Sequence, residues 1–336
     1  MKAQNDNNIV GDGGNYTTSL LDGISVVVPV FNSQDTLSVL VGRIAERLRG
    51  RGQDFEIILV DDNSKDESWK VIQQLVVQDS CVRGIGLMRN FGQHNALLCG
   101  IRQARYAVTV TMDDDLQHPP EEMAKLLDRL AVGDVDVVYG SPEHLQHGVL
   151  RDLASLITKL AMQRVMGAST AQSISAFRAF RTSLRQAFAE YKDAYVSIDV
   201  LLTWATNRFV ALTVRHDARY AGQSNYTVTK LMTHALNMIT GFSIWPLQLA
   251  SAVGFIFVLF GGGVLAYVLT RYLIHGQVVP GFAFLASIIA IFSGAQLFTL
   301  GVMGEYLARM HFRSMQKPAY VVGRTTDGSP TLRMNS

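Results

Sequence analysis

Charge is what this chain has least of. Residues 235–270 contain no Asp, Glu, Lys or Arg, and neither do residues 276–304, where Gln277 and Gln296 are the most polar side chains. Each stretch exceeds the roughly 20 residues that cross a bilayer core, and buried core helices of that length are unusual. With 48% hydrophobic and 17% charged residues overall, the composition excludes an ordinary soluble protein. Two membrane spans are expected, at about 247–270 and 280–304. Cysteine is nearly absent too. Cys81 and Cys99 have neither metal nor redox spacing, which excludes a disulfide framework and leaves two reduced packing residues. No internal repeat is visible. The balance of 30 Lys and Arg against 28 Asp and Glu says little by itself, and no nucleic-acid partner is expected. Residues 1–16 are polar and rich in Asn and Gly, so no signal peptide is read there and residues 1–20 are expected to be a disordered tail.

Basic residues give an orientation. Arg215, Arg219 and Lys230 precede the first span, and Arg309, Arg313, Lys317 and Arg324 follow the second, whereas the short connection at 271–280 carries one arginine. The positive-inside rule then puts both termini and the large N-terminal part in the cytosol, on a multi-pass anchor. Residues 228–245 mix Lys230, His234 and Asn237 with Leu231, Leu236, Met238 and Ile239, the pattern of an amphipathic helix on the bilayer surface. Trp245-Pro246 would mark the interface. Gly261-Gly262-Gly263 inside the first span suggests close helix packing.

The N-terminal part alternates strand and helix patterns. Strands are expected at 24–28, 55–60, 84–88, 107–112 and 135–139, and helices at 35–48, 67–77, 93–105 and 119–131. That alternation implies an α/β fold with a mostly parallel sheet, in which ligands sit beyond the carboxyl ends of the strands. Three strand ends are polar: Phe31-Asn32, Asp61-Asp62 and Asp113-Asp114-Asp115. A polar turn after a strand is ordinary. Three converging on one sheet edge, two of them acidic, look like a nucleotide–metal site.

The third of these is the most informative. If the chain stays extended past Met112, side chains two apart share a face, so Asp113, Asp115 and Gln117 lie together and Asp114 and Leu116 point away. Two carboxylates and an amide oxygen form a hard, incomplete shell suited to Mg²⁺ or Mn²⁺, with room for water and substrate phosphates. An acidic cluster at a strand end is equally a solvated turn with a helix cap, and these residues alone do not separate the two.

Four ordered motifs carry a resemblance: Val28-Pro-Val-Phe-Asn32, Val60-Asp-Asp-Asn-Ser-Lys-Asp66, Arg89-Asn-Phe-Gly-Gln-His94 and Met112-Asp-Asp-Asp-Leu-Gln-His-Pro-Pro120. Together with two spans and Gly301-Val-Met-Gly-Glu-Tyr-Leu-Ala-Arg309, they resemble the family-2 glycosyltransferases of GT-A fold. The likeness is nearer to those that use polyprenyl phosphates, such as dolichol-phosphate mannose synthase, the bactoprenol glucosyltransferases and the undecaprenyl-phosphate formamidoarabinose transferase. It implies a cytosolic GT-A domain at 21–227, the interfacial helix at 228–245, a transmembrane hairpin at 246–308 and a cytosolic tail at 309–336. It also implies a nucleotide-sugar donor, a polyprenyl phosphate acceptor, Mg²⁺ or Mn²⁺ and a homo-oligomer, a tetramer by family likeness. By position, Pro29, Asn32 and Asp61 would border the nucleoside, and Asp113, Asp115 and Gln117 would hold the metal against the diphosphate. Arg151 and Ser155, Arg164, and Arg219 with Ser224 would receive the acceptor phosphate. For Arg164 a lipid-headgroup or solvent contact is an equal reading.

Three positions depart from the family. Ser33 stands where a Glu is common, Asn225 where a Lys is expected, and Gln172 where an acid usually precedes Arg178 by six residues. The absence of a general base need not be fatal, since a lipid phosphate with a second pKa of about 6 is already largely anionic at neutral pH. A single direct attack would invert the anomeric centre. Two other functions stay open: a processive glycan synthase, although no Arg-Trp pair supplies that family's acceptor element, and a membrane scaffold with a degenerate transferase domain.

Overall fold

The computed structural model describes residues 23–142, 174–193, 196–217, 245–275 and 281–327. In chain order these hold β1 (Ile24–Val30), α1 (Leu37–Arg49), β2 (Phe55–Asp61), α2 (Ser68–Gln78), β3 (Val82–Leu87), α3 (Gln93–Gln103), β4 (Val108–Thr111), α4 (Met123–Ala131) and β5 (Val137–Pro142). There follow β6 (Arg178–Arg181), α5 (Ile198–Ala205), β7 (Phe209–Val214), α6 (Trp245–His275), α7 (Phe282–Ser314) and β8 (Val322–Thr325).

Eight strands form one sheet in the order β7-β5-β6-β4-β1-β2-β3-β8. The central four, β4, β1, β2 and β3, run parallel, while β6 and β8 pair antiparallel on either flank. The sheet is therefore mixed, with the expected parallel part at its centre. Every residue of β1 and β2 is buried because helices cover both faces, which is why these strands read as continuous apolar runs. On one face Val26, Val28, Ile57 and Leu59 pack with Leu40 and Ile44 of α1, Ile72 of α2 and Leu126 and Leu130 of α4. On the other, Val27, Ile58 and Val60 pack with Leu97, Leu98 and Ile101 of α3 and Leu201 and Leu202 of α5. Cys99 lies in that second layer, fully buried, and burial pushes its thiol up to about 12, so it is an inert packing group.

Several parts differ from the sequence expectation, which has no counterpart of β6, α5 or β7. The stretch 309–336 reads as a tail, yet β8 lies inside it and closes the sheet beside β3. Ala319 and Tyr320 pack onto the α3 side, and Met88 donates its backbone N–H to Val321 O. The helix expected to start at Pro119 opens as a 3₁₀ turn at Pro120–Glu122 before α4.

Between β7 and β8 the chain runs through two long apolar helices. Within α6, Leu247–Ile274 is long and apolar enough to cross a bilayer, roughly 42 Å at 1.5 Å per residue. Its Phe255, Ile256, Leu259, Phe260 and Leu265 are exposed. A row of that size left uncovered in water would be strongly unfavourable, so it fits lipid contact. Against α7, Phe257 meets Phe292 edge-on at 5.4 Å. Of the three consecutive glycines, Gly261 makes the close approach: a Cβ there would lie 3.1 Å from the Phe292 ring, whereas Gly262 and Gly263 have open space.

Candidate active site

Because β4, β1 and β2 are parallel and adjacent, their carboxyl ends must open on the same edge, and the three polar turns meet there. Hydrogen bonds lace them together. After β1, Phe31 N–H and Ser33 Oγ–H both donate to Asp114 Oδ2, at 3.1 and 2.5 Å. Asn32, held in the left-handed region at φ 56, donates its N–H to Ser64 Oγ and accepts from Lys65 N–H at 2.8 Å. Asn tolerates that backbone conformation better than most side chains. Ser33 N–H donates to Ser68 Oγ at 2.9 Å, so this serine, where the resembling family carries Glu, ties α2 to the carboxylate loop.

The two acids after β2 are structural as placed. Asp61 is wholly buried; its Oδ1 accepts from Ser64 N–H at 3.0 Å and its Oδ2 from Arg324 at 2.9 Å. Asp62 accepts the N–H groups of Phe91 and Gly92 at 2.7 and 2.8 Å, which fixes the turn into α3. Burial raises the Asp62 pKa, although those two donors favour the carboxylate. Pro29 sits in β1 opposite Val60, two residues before the Phe31-Asn32 turn.

The carboxylate loop corrects one premise. Strand β4 stops at Thr111, and the chain then bends, with Leu116 at φ 61. Asp113, Asp115 and Gln117 are thus arranged by a turn and not by strand alternation. A buried leucine in the left-handed region is strained, a state that persists where surrounding contacts fix it, as burial of its side chain in the α1–α4 layer does here. Asp114 does turn away, into Ser33; burial raises its pKa, and it cross-links loops. Asp113 accepts from the Gln93 amide at 2.5 Å, and Asp115 Oδ1 accepts Gln117 N–H at 3.1 Å. Both acids are partly exposed, on the open side of the edge.

Among the described residues no group of three or more His, Cys, Asp or Glu side chains is placed to hold a metal. Two partly exposed carboxylates with hydrogen-bonded backs are a partial oxygen shell. That fits a hard cation completed by water and phosphate oxygens better than a protein-enclosed site.

Two histidines that are not among the expected site residues adjoin the loop. His118 stacks between Phe177 at 5.3 Å and His216 at 4.9 Å, and His216 Nδ1 lies 3.0 Å from Gln117 O. Burial, reinforced by His216, lowers the His118 pKa to about 4, so it stays neutral at physiological pH. Asp217 N–H donates to the same carbonyl at 2.8 Å. The chain leaving β7 is therefore fastened to the carboxylate loop two residues before Arg219. No spacing rule in the sequence joins 118 to 216. Arg151, Ser155, Arg164, Gln172, Arg219, Ser224, Asn225 and Lys230 lie outside the described residues, as does most of the expected interfacial helix.

The pattern of glycosyl transferase family 2 matches residues 25–188, from β1 to beyond β6. The undecaprenyl-phosphate 4-deoxy-4-formamido-L-arabinose transferase of Pseudomonas paraeruginosa is 33% identical over 314 residues, covering 93% of this chain and 92% of its own. The enzyme of that name from Yersinia enterocolitica is 31% identical over 311 residues, covering 92% and 95%. Among solved structures, glucosyl-3-phosphoglycerate synthase from Mycobacterium tuberculosis, crystallised with Mn²⁺, UDP and phosphoglyceric acid, shares 15% identity. It covers 65% of this chain and 76% of its own, with a TM-score of 0.46. Full-length similarity at this level assigns the chain to glycosyl transferase family 2, and it is a glycosyltransferase.

Proposed function

We propose that the protein transfers a sugar from a nucleotide-sugar, a UDP-sugar in our reading, to a polyprenyl (undecaprenyl) phosphate at the cytosolic face of the inner membrane. The observation that carries this is a nucleotide-type sheet edge, bearing the partly exposed carboxylates Asp113 and Asp115, in the same chain as the bilayer-length helix α6. The names of the relatives support an undecaprenyl-phosphate acceptor.

In this reading Pro29, Asn32 and Asp61 border the nucleoside. Asp113 and Asp115, with Gln117, hold Mg²⁺ or Mn²⁺, which supplies Lewis-acid stabilisation of the departing diphosphate. Arg151 with Ser155, and Arg219 with Ser224, receive the acceptor phosphate, arginine being suited to bidentate contact with its oxygens; Arg164 is a further candidate for that contact. The phosphate oxygen is already anionic and attacks the anomeric carbon directly, with inversion, so the protein positions two anions and needs no nucleophile of its own. The hydrogen bond from Asp217 N–H to Gln117 O holds the chain at 217 against the carboxylate loop, which supports counting Arg219 among the phosphate contacts.

The test is a donor screen of purified protein with undecaprenyl phosphate, read by the mass of the lipid product. Absence of glycosylated lipid with every nucleotide-sugar would refute the reading. In the active pair, Arg151→Ala is expected to raise the KM for lipid phosphate about tenfold or more, the order of a lost charged hydrogen bond, and to leave nucleoside diphosphate affinity nearly unchanged. Arg151→Lys should recover part of it, since charge remains without the bidentate fork. Loss of nucleotide binding in folded Arg151→Ala would end the division into donor and acceptor halves.

Both termini are proposed to be cytosolic, with a homo-oligomer in the membrane. Cys99 is buried with a raised thiol pKa, so removing Cys81 leaves a quiet background for labelling. An impermeant thiol reagent is expected to reach Gln277→Cys in intact cells and to miss Gly13→Cys and Gly328→Cys. Labelling of either terminal probe would reverse the orientation.

A further inference from the structure

We propose that Arg324, on the strand that follows the membrane helices, contacts the base of the donor nucleotide. Asp61 is the residue expected to border the nucleoside, yet it is 0% exposed and both its oxygens already accept hydrogen bonds. A base arriving at this edge meets what covers Asp61, and that cover is the Arg324 side chain, 46% exposed. Asp61 holds the guanidinium from behind at 2.9 Å, and the Trp69 ring supports it, with the guanidinium carbon 4.1 Å from the ring centroid. A guanidinium fixed on an acid and an aromatic face presents its remaining N–H edge in a set direction, which suits the carbonyl oxygens of a nucleobase.

The crossing is built into the sheet. Arg324 pairs with Gly86 in register, and its side chain passes over that glycine to reach β2. A Cβ on Gly86 would lie 2.6 Å from Arg324 Cγ and Nε, so any other residue there would push the arginine aside. An incidental surface pair needs no such clearance. The acid at its far end also fixes Ser64, whose Oγ accepts Asn32 N–H, so one chain of contacts runs from β8 to the turn after β1.

The proposal rests on the reading that the nucleoside lies beside Asp61, and the test separates the two. Uridine and guanosine diphosphates with Mn²⁺ are titrated calorimetrically into the full-length protein in detergent, and the tighter ligand is used. Arg324→Ala and Asp61→Asn are each expected to weaken binding about tenfold, a charged hydrogen bond being lost. Asp61→Asn keeps an acceptor for Ser64. Because the acid acts through the arginine, the double variant should be no weaker than the weaker single, a non-additivity expected of one unit. Arg324→Lys should recover part of the affinity. Thr326→Val removes the hydrogen bond from Gly84 N–H that helps seat the same strand, without touching Asp61, and should lower thermal stability while leaving the dissociation constant unchanged.

If Asp61→Asn weakens binding and Arg324→Ala does not, the inference falls and the donor pocket stands. If Asp61→Asn has no effect, or neither nucleotide binds the wild type, the pocket reading falls and the inference with it. Tighter binding by Arg324→Ala would mean the arginine blocks the pocket. Equal losses in Arg324→Ala and Thr326→Val would mean that β8 only stiffens the sheet. Either result overturns the proposal.

Discussion

Asp115→Asn should leave the protein folded and lower turnover by on the order of 10²–10³-fold, the scale of losing one preorganised group that stabilises developing charge. The substitution is informative because the amide keeps the bond that matters to the loop. Asp115 Oδ1 accepts Gln117 N–H at 3.1 Å, and an Asn Oδ1 accepts it equally. What disappears is one negative charge from a shell in which the protein offers two partly exposed carboxylates. A divalent ion facing a diphosphate depends on that charge, so the loss should be deepest at limiting metal and partly relieved by excess Mn²⁺. Asp113→Asn should behave alike, since Gln93 can donate to an amide oxygen as well. Activity in excess EDTA equal to that with Mg²⁺ or Mn²⁺ would remove the metal from the mechanism. An unchanged rate in Asp115→Asn would remove Asp115.

How much of this was visible beforehand depended on the range of the interactions. Strands β1 to β5 and helices α1 to α4 are encoded by local periodicity, and the sequence located them to within a few residues. The order of three polar strand ends also sufficed to foresee their meeting, because parallel neighbours must open on one edge. The strands β6, β7 and β8 are not legible in this way; in β6 and β8, Arg178-Ala-Phe-Arg181 and Val322-Gly-Arg-Thr325 are short, and Arg and Gly break the alternation. Their pairing is decided by contacts far along the chain, Thr111 with Arg178 and Gly86 with Arg324. The carboxylate loop was read in the right place by an incomplete argument, since alternation cannot foresee a turn at Leu116. Asp61 and Asp62 look alike in sequence. Burial gives one an arginine from 263 positions away and the other two backbone donors from the turn before α3.

The largest effect on stability is expected at Arg178, which binds no proposed substrate. This arginine is the bulkiest fully buried side chain in the described residues, 1% exposed, at the start of β6. Its Nη1 donates to Asp199 of α5, its Nε donates to Thr111 Oγ1 at 3.1 Å, and it lies 5.8 Å from the Tyr139 ring. Tyr139 OH donates to the same Asp199 oxygen at 2.9 Å, and burial drives the Tyr139 pKa well upward, so it remains a donor. Four elements, β4, β5, β6 and α5, thus share one buried ion pair that reaches Thr111, the residue at which β4 gives way to the carboxylate loop. Arg178→Met should cost about 3–5 kcal/mol, because Asp199 is left charged and uncompensated in the core. Against the 5–15 kcal/mol typical of a folded domain, that is enough to unfold much of the population at growth temperature. Asp199→Leu alone should cost a similar amount for the converse reason. The double variant Arg178→Met/Asp199→Leu should regain most of the loss, since an apolar pair of similar volume replaces both charges and leaves Tyr139 OH as the one donor to satisfy. Thermal unfolding of the detergent-solubilised protein, followed by tryptophan fluorescence, would show the cycle. Additive losses in the double variant would mean that Arg178 and Asp199 are held by separate partners, and that packing around Thr111 and Tyr139, not charge compensation, fixes the floor of the site.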